Sequence, residues 1–234
     1  ALVIGGSGGI GRSVCYQLAD NGAEVICHGG HDRKRLEETV QYIRSTQGPA
    51  QAVLLRIDQA RDVYRVIDRA GPVDIVVVAF GPVSYTSLLD TDAGEWQRMV
   101  ELNLVLPGMA VSAVLPSMMR RGWGRIVVFG GTRTDSPRAF RTCPAYGAAK
   151  SGLASLVRSA AVATSGKNVT VNGVAPGYVN TEYLTDSRRT EFEKRSPQKA
   201  LITPERVARL VTHIVCAAEP DLNGSMIPFD QGMG

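Results

Sequence analysis

The sequence predicts a doubly wound α/β fold built on one parallel sheet, and three observations carry that prediction. Short apolar runs alternate with longer amphipathic stretches from end to end, the pattern of repeated strand, helix, strand crossovers. The run Val73 to Ala79 is nearly continuously apolar, as a parallel strand covered by helices on both faces must be. The first apolar run leads directly into five glycines within seven residues, Gly5 to Gly11, and then into a helical pattern.

Taken in order, Ala1 to Ile4 forms the first strand, and the helix after the glycines runs to about Asn21. Glu24 to His28 is a second strand, and Asp32 to Thr46 a charged helix with Asp32 placed to cap it. Gln51 to Ile57 is the third strand, ending at Asp58, with Ala60 to Ala70 its helix. Phe80-Gly81-Pro82 breaks the chain after the fourth strand. Asp92 to Arg121 reads as one long helix in which Asn103 sits among apolar neighbours and Pro107 is expected to impose a bend. Arg125 to Phe129 is the fifth strand; the loop Gly130 to Cys143 follows, then a helix to about Ser165. Asn168 to Val174 is the sixth strand, followed by a Pro176-Gly177 turn and a polar stretch, Thr181 to Lys199, that reads as mobile. A helix from Pro204 to Ala218 and a seventh strand, Ser225 to Phe229, complete the chain.

With 234 residues and no Ser/Pro-rich linker, low-complexity tract or internal repeat, the chain is read as one domain, residues 1–234, including a substrate-loop segment 181–203. It opens directly on an apolar run without an initiator Met, which reads as trimmed ends. No apolar run of membrane length is apparent, so no membrane role is expected. The net charge of +4 invites a nucleic-acid partner. The basic residues are dispersed, however, and solvated helix faces account for them, so none is expected. The four cysteines lack paired spacing, which speaks against a metal site or a disulfide framework. Cys15, Cys27 and Cys216 lie in apolar patterns and read as buried, reduced thiols, which favours a cytoplasmic setting.

Two stretches carry chemistry. The glycine loop lets backbone approach a pyrophosphate, whose charge the free N–H groups at the helix start attract. Tyr146 and Lys150 are one helical turn apart and share a face, so the ammonium is expected to lower the phenol pKa and make it a usable acid/base near neutrality. Ligands of such sheets bind beyond the carboxyl ends of the strands. The glycine loop, Asp58, Gly81, Gly130, Tyr146 and Pro176 all fall there. The second strand ends His28-Gly29-Gly30 without the acid that would hold a ribose 2′-hydroxyl, while His31, Arg33 and Lys34 follow closely. That favours NADP(H) over NAD(H), through a 2′-phosphate.

The order of these signals resembles the short-chain dehydrogenase/reductase family over essentially the whole chain, and within it the 3-oxoacyl-carrier-protein reductases. The family's TGxxxGxG corresponds to Ile4 through Gly11, its YxxxK to Tyr146 and Lys150, its helix asparagine to Asn103, and its PGxxxT to Pro176, Gly177 and Thr181. The resemblance implies a Rossmann-type seven-stranded sheet and hydride transfer between NADP(H) and a carbonyl or secondary alcohol, with a 3-oxoacyl thioester on an acyl carrier protein as one candidate substrate. It implies that Tyr146 is the general acid/base, that Lys150 lowers its pKa and holds the nicotinamide ribose, and that Asn103 supports a proton-relaying water. The cofactor would then lie along Gly5, Ser7, Gly8, Gly9, Ile10 and Gly11, past Asp58, Gln59, Ala79 and Gly81, to Pro176, Gly177, Val179 and Thr181.

Three departures qualify the match. Ile4 stands where the loop's first Thr would be, and Val78-Ala79-Phe80-Gly81 replaces the family's NNAG. Gly131 falls where a substrate-orienting serine is usual, so Thr132 is taken as its stand-in, with Thr134 and Ser136 the other hydroxyls of that loop. An alternative class is therefore a cofactor-binding or scaffolding relative that has lost turnover. The basic residues Arg120, Arg121, Arg125, Arg188 and Arg189 are candidates for meeting an acidic carrier. Small and apolar residues on nearly all sides of the Asp92–Arg121 and Tyr146 helices predict a homodimer or homotetramer.

Overall fold

The computed structural model describes every residue except Gln47, Ala218 and Gly234. Seven strands form one wholly parallel sheet in the order β3-β2-β1-β4-β5-β6-β7. They are β1 (Leu2–Ile4), β2 (Val25–Gly29), β3 (Ala50–Leu54), β4 (Ile75–Val78), β5 (Gly124–Phe129), β6 (Val169–Pro176) and β7 (Met226–Phe229). The helices are α1 (Gly9–Asp20), α2 (Arg33–Thr46), α3 (Asp62–Ala70), α4 (Ala93–Val100), α5 (Leu106–Arg121), α6 (Pro144–Ala163), α7 (Asp186–Arg195) and α8 (Pro204–Cys216).

Side chains alternate across each strand, and the two sheet faces bury separate cores. Leu2, Ile4, Val76, Val78, Ile126 and Val128 meet α3, α5 and α6 on one face. Val3, Cys27, Val77 and Val127 meet α1, α2 and α8 on the other. Strand order reverses between β1 and β4, so the crevice beyond their carboxyl ends is the switch point where ligands bind in open α/β sheets. The glycine loop leaves β1 there, and Gly81 follows β4.

Several expectations are corrected. The third strand ends at Leu54, before Ile57. The long helix is bent by no simple proline kink: a π-helical segment, Glu101–Val105, joins α4 to α5, with Leu106 N bonding back to Glu101 O. Pro107 has no N–H to offer the Asn103 carbonyl four residues earlier, and the wider turn absorbs that loss. By length and composition the continuous helix Ala93–Arg121 could cross a bilayer, contrary to the sequence reading. Here its apolar side packs on the sheet. The polar stretch 181–199 contains α7, capped by Thr185, whose hydroxyl accepts from Arg188 N. Its one buried residue, Phe192, left no apolar periodicity to read. Helix α8 ends at Cys216, which is exposed, not buried; the expected terminus Ala218 lies outside the described residues.

Candidate active site

Backbone packing explains the glycines. Gly5 has φ +87°, and a Cβ there would stand 2.6 Å from Ala79 O, so β1 and β4 can meet only over a glycine. Gly11 is likewise pressed on the Gly5 carbonyl. Gly5 N donates to His28 Nδ1 at 3.2 Å, while Nε2 lies 2.8 Å from Leu55 O. The accepting Nδ1 puts the proton on Nε2, and burial lowers the ring's pKa. His28 is thus a neutral strut joining the glycine loop to the third strand's extension. The sequence reading missed it, because a lone His in an apolar run carries no local signal.

Helix α1 begins without a side-chain cap of its own and without an acid in its first turn. The carboxylate of Glu182 takes that place. Gly9 N donates to both of its oxygens at 3.1 Å. Arg12 pairs with it at 2.9 Å and Arg35 reaches it at 3.9 Å. Neither arginine was among the predicted cofactor residues. Of those that were, Arg33 lies 3.3 Å from Glu37 along α2, and His31 is exposed. Lys34 likewise pairs within α2, with Glu38. The missing acid at the end of β2 has a packing reason: a Cβ at Gly29 would come within 2.9 Å of Ser7.

A cleft of about 760 Å³ opens beside this loop. Ile10, Ala79, Gly81, Thr132, Tyr146, Lys150, Pro176, Gly177, Val179 and Thr181 all line it. Asp58 and Gln59 do not; their N–H groups both bond Asp62 at the start of α3. A second cavity of about 650 Å³, at the opposite end of β6, is lined by no titratable side chain.

At the floor of the cleft, α6 supplies Tyr146 and Lys150 one turn apart. Lys150 is buried, and its Nζ donates to Phe129 O at 2.7 Å. It stands 6.0 Å from the centre of the Tyr146 ring. Asn103, presented by the π-helical turn, donates from Nδ2 to Pro82 O at 2.9 Å, and its buried Oδ1 has no partner among the described residues. Both Asn103 Oδ1 and Lys150 Nζ close on the space a side chain at Gly81 would fill. The expected depression of the Tyr146 pKa is absent here. Burial raises it, with smaller contributions from Tyr85 and Cys143, and burial pushes Lys150 down to about 7. Desolvation outweighs the ammonium's attraction, so both groups favour their neutral forms.

The position of the usual serine is equally specific. A Cβ at Gly131 would lie 2.5 Å from the Tyr146 hydroxyl oxygen. Thr134 is buried and committed: its Oγ1 accepts from Gly131 N at 2.8 Å and donates to Gly131 O at 3.0 Å. Ser136 accepts from Arg138. Thr132 alone of the three hydroxyl residues lines the cleft.

These observations fit a dinucleotide: a glycine cradle, an anion already seated on the α1 terminus between two arginines, and an unpartnered acceptor beside the Tyr-Lys pair. A sequence model of the short chain dehydrogenase family matches residues 1–191. The chain belongs to that family. It is 27% identical to an acetoacetyl-CoA reductase of Allochromatium vinosum, covering 100% of this chain and 97% of the relative. It is 30% identical to a 3-oxoacyl-(acyl-carrier-protein) reductase of Vibrio cholerae, covering 100% and 96%. A crystal structure of an Agrobacterium tumefaciens 3-oxoacyl (acyl-carrier-protein) reductase with NADP bound superposes with a TM-score of 0.89 at 26% identity, covering 99% of this chain and 92% of that one. As a short chain dehydrogenase, the protein is an NAD(P)-dependent oxidoreductase.

Proposed function

We propose that this protein reduces the carbonyl of an anionic 3-oxoacyl substrate with NADP(H), and that Tyr146, Lys150, Asn103 and Thr132 form its catalytic floor. The observation that carries this reading is that Tyr146 and Lys150 line a cleft next to the glycine loop together with Gly81, behind which the buried, unpartnered Asn103 Oδ1 stands close to the space beside Lys150 Nζ. Bound NADPH would supply the hydride. Tyr146, neutral in its buried setting, holds the proton that the carbonyl oxygen acquires, and Thr132 donates a hydrogen bond that orients that oxygen. Lys150, with its pKa brought down to about 7, can carry the ammonium charge that offsets the phenolate left when Tyr146 gives its proton to the carbonyl oxygen. The proton then returns through the Asn103 turn.

NADP(H) is favoured by the absence of an acid at the end of β2 and by Arg12 and Arg35 at the head of α1. The substrate class is favoured by the cleft mouth. Arg133, Arg138, Arg141 and Arg188 line it, and among the described residues none of them forms an ion pair. Arg188 lies 3.6 Å over the Tyr85 ring. Such a mouth draws in a carboxylate, a phosphopantetheine or an acidic carrier. Of the basic residues first considered for a carrier, Arg120, Arg121 and Arg125 sit at the opposite end of the sheet. Arg125 is buried at the start of β5, and Arg121 binds Val73 O before β4. Residues 181–203 form the lid of the mouth.

The test is turnover. NADPH oxidation with a 3-oxoacyl thioester should exceed that with an uncharged ketone. Tyr146→Phe should leave NADPH affinity intact while lowering turnover by roughly 10²- to 10⁴-fold. Unchanged turnover in that variant would remove Tyr146 from the chemistry, and tighter binding of NADH than NADPH would overturn the cofactor assignment.

A further inference from the structure

The head of α1 is the anion site on which the dinucleotide reading rests, and this chain fills it with an acid of its own. Glu182 comes from 173 residues away to accept from Gly9 N with both oxygens. It also engages Arg12 and Arg35. Its neighbour Tyr183 covers Gly8, where an added Cβ would collide with the phenol oxygen, and Arg35 lies 5.8 Å from the Tyr183 ring centre. A carboxylate on a helix N-terminus between two guanidiniums satisfies the same donors a phosphate would. Glu182 and a cofactor phosphate therefore exclude one another.

We infer that Glu182 is a built-in competitor for the cofactor phosphates, and that Arg12 and Arg35 are the phosphate-recognising pair it holds in reserve. The strap bearing Glu182 runs straight into α7, whose Arg188 and Phe192 line the substrate cleft. Phe192 stacks on Tyr178 at 4.2 Å, so the strap is tied at its far end to the wall of that cleft. Arrival of a phosphate at α1 releases Glu182 and frees the strap, which couples cofactor occupancy to the shape of the substrate mouth. Apparent cofactor affinity is then the intrinsic affinity reduced by the fraction of molecules with the strap open.

The experiment rests on the cofactor reading and separates it from this inference. NADPH is titrated by its fluorescence into the wild type, Glu182→Gln and Glu182→Asp. The Gln variant keeps the shape but loses the charge, and should bind about tenfold more tightly, as expected if roughly one molecule in ten is open at rest. The Asp variant, one methylene shorter, should fall between. Hydrogen exchange supplies a readout without cofactor: in Glu182→Gln the amides of Gly9 and residues 181–185 should exchange faster, whereas in the wild type inorganic pyrophosphate should speed exchange of residues 181–185 and leave the Gly9 amide, now bonded to phosphate, protected. Equal or weaker NADPH binding by both variants, with the wild type binding normally, would overturn the inference. Failure of every variant and the wild type to bind NADPH or NADH would instead overturn the cofactor reading beneath it.

Discussion

Replacing Gly131 by the serine usual at its position should damage this enzyme, even though it installs a hydroxyl where related enzymes usually carry one. The ideal Cβ at residue 131 stands 2.5 Å from Tyr146 Oη and 2.9 Å from its Cε1. Ordinary contact begins near 3.4 Å, so about 1 Å must be found. The backbone around Gly131 is fixed by two hydrogen bonds to buried Thr134. Tyr146 is held by α6, whose flanking Ala145 and Ala149 are buried. The phenol is the softer partner and will move. A displacement of about 1 Å in a reacting group costs on the order of 10² in rate. Gly131→Ser should therefore lower kcat by roughly 10²-fold, with KM for NADPH unchanged, in steady-state assays of NADPH oxidation. A Gly131→Ser enzyme as fast as the wild type, or faster, would refute the packing argument and show that the glycine is a deficit.

Four further outcomes are expected. Thr132→Val should lower kcat with little change in the melting temperature. Thr134→Val should instead destabilise the fold by about 1–3 kcal/mol, because it leaves the buried Gly131 N–H unpaired, while the Gly131 carbonyl keeps its bond from Thr134 N; the reverse pattern would move the orienting role to Thr134. Lys150→Met should stabilise the cofactor-free protein by roughly 3 kcal/mol at neutral pH, the desolvation penalty less one lost hydrogen bond. Burial lowers the Lys150 pKa to about 7 from an ordinary 10.5, so the unfolded chain holds the extra proton between those values. The wild-type penalty is therefore complete at pH 7 and below and fades as pH rises toward 10.5; denaturation midpoints for both proteins across that range check it, and a gain that grows with pH would refute it. Light scattering should report a dimer or tetramer, dissociated by Val105→Arg, since Val105 is 42% exposed on the long helix. Ala154 is already buried in the single chain and would be a poor probe of an interface. A clean wild-type monomer at micromolar concentration would refute the assembly.

The fold was legible because its determinants are periodic. Strands buried on both faces show as apolar runs, and the glycine loop between strand and helix marks the binding end of the sheet. Asn103 could be singled out as a polar residue in an apolar helix. The π-helical turn presenting it could not, since that turn depends on where the chain relieves the missing Pro107 donor. Helix α7 was illegible for the opposite reason. It buries one residue, Phe192, against Tyr178 and Tyr85, and is otherwise held by its cap, an Arg195–Glu191 pair and Arg188 over Tyr85, so it leaves no stripe in the sequence.

The site divides along the same line. Tyr146 with Lys150 and the glycine cradle are local patterns, each complete within a few residues and so readable in the sequence. The residues missed act across the chain: His28 on Gly5, and Glu182 on Gly9 and Arg12. The electrostatics were misjudged for a related reason. A lysine four residues from a tyrosine suggests attraction, but the sign of the net effect depends on burial, which distant segments impose. In this site desolvation outweighs that attraction, raising the pKa of Tyr146 and lowering that of Lys150. Tyr146 is thereby kept neutral at rest, while Lys150 is poised to gain or lose its charge near neutrality.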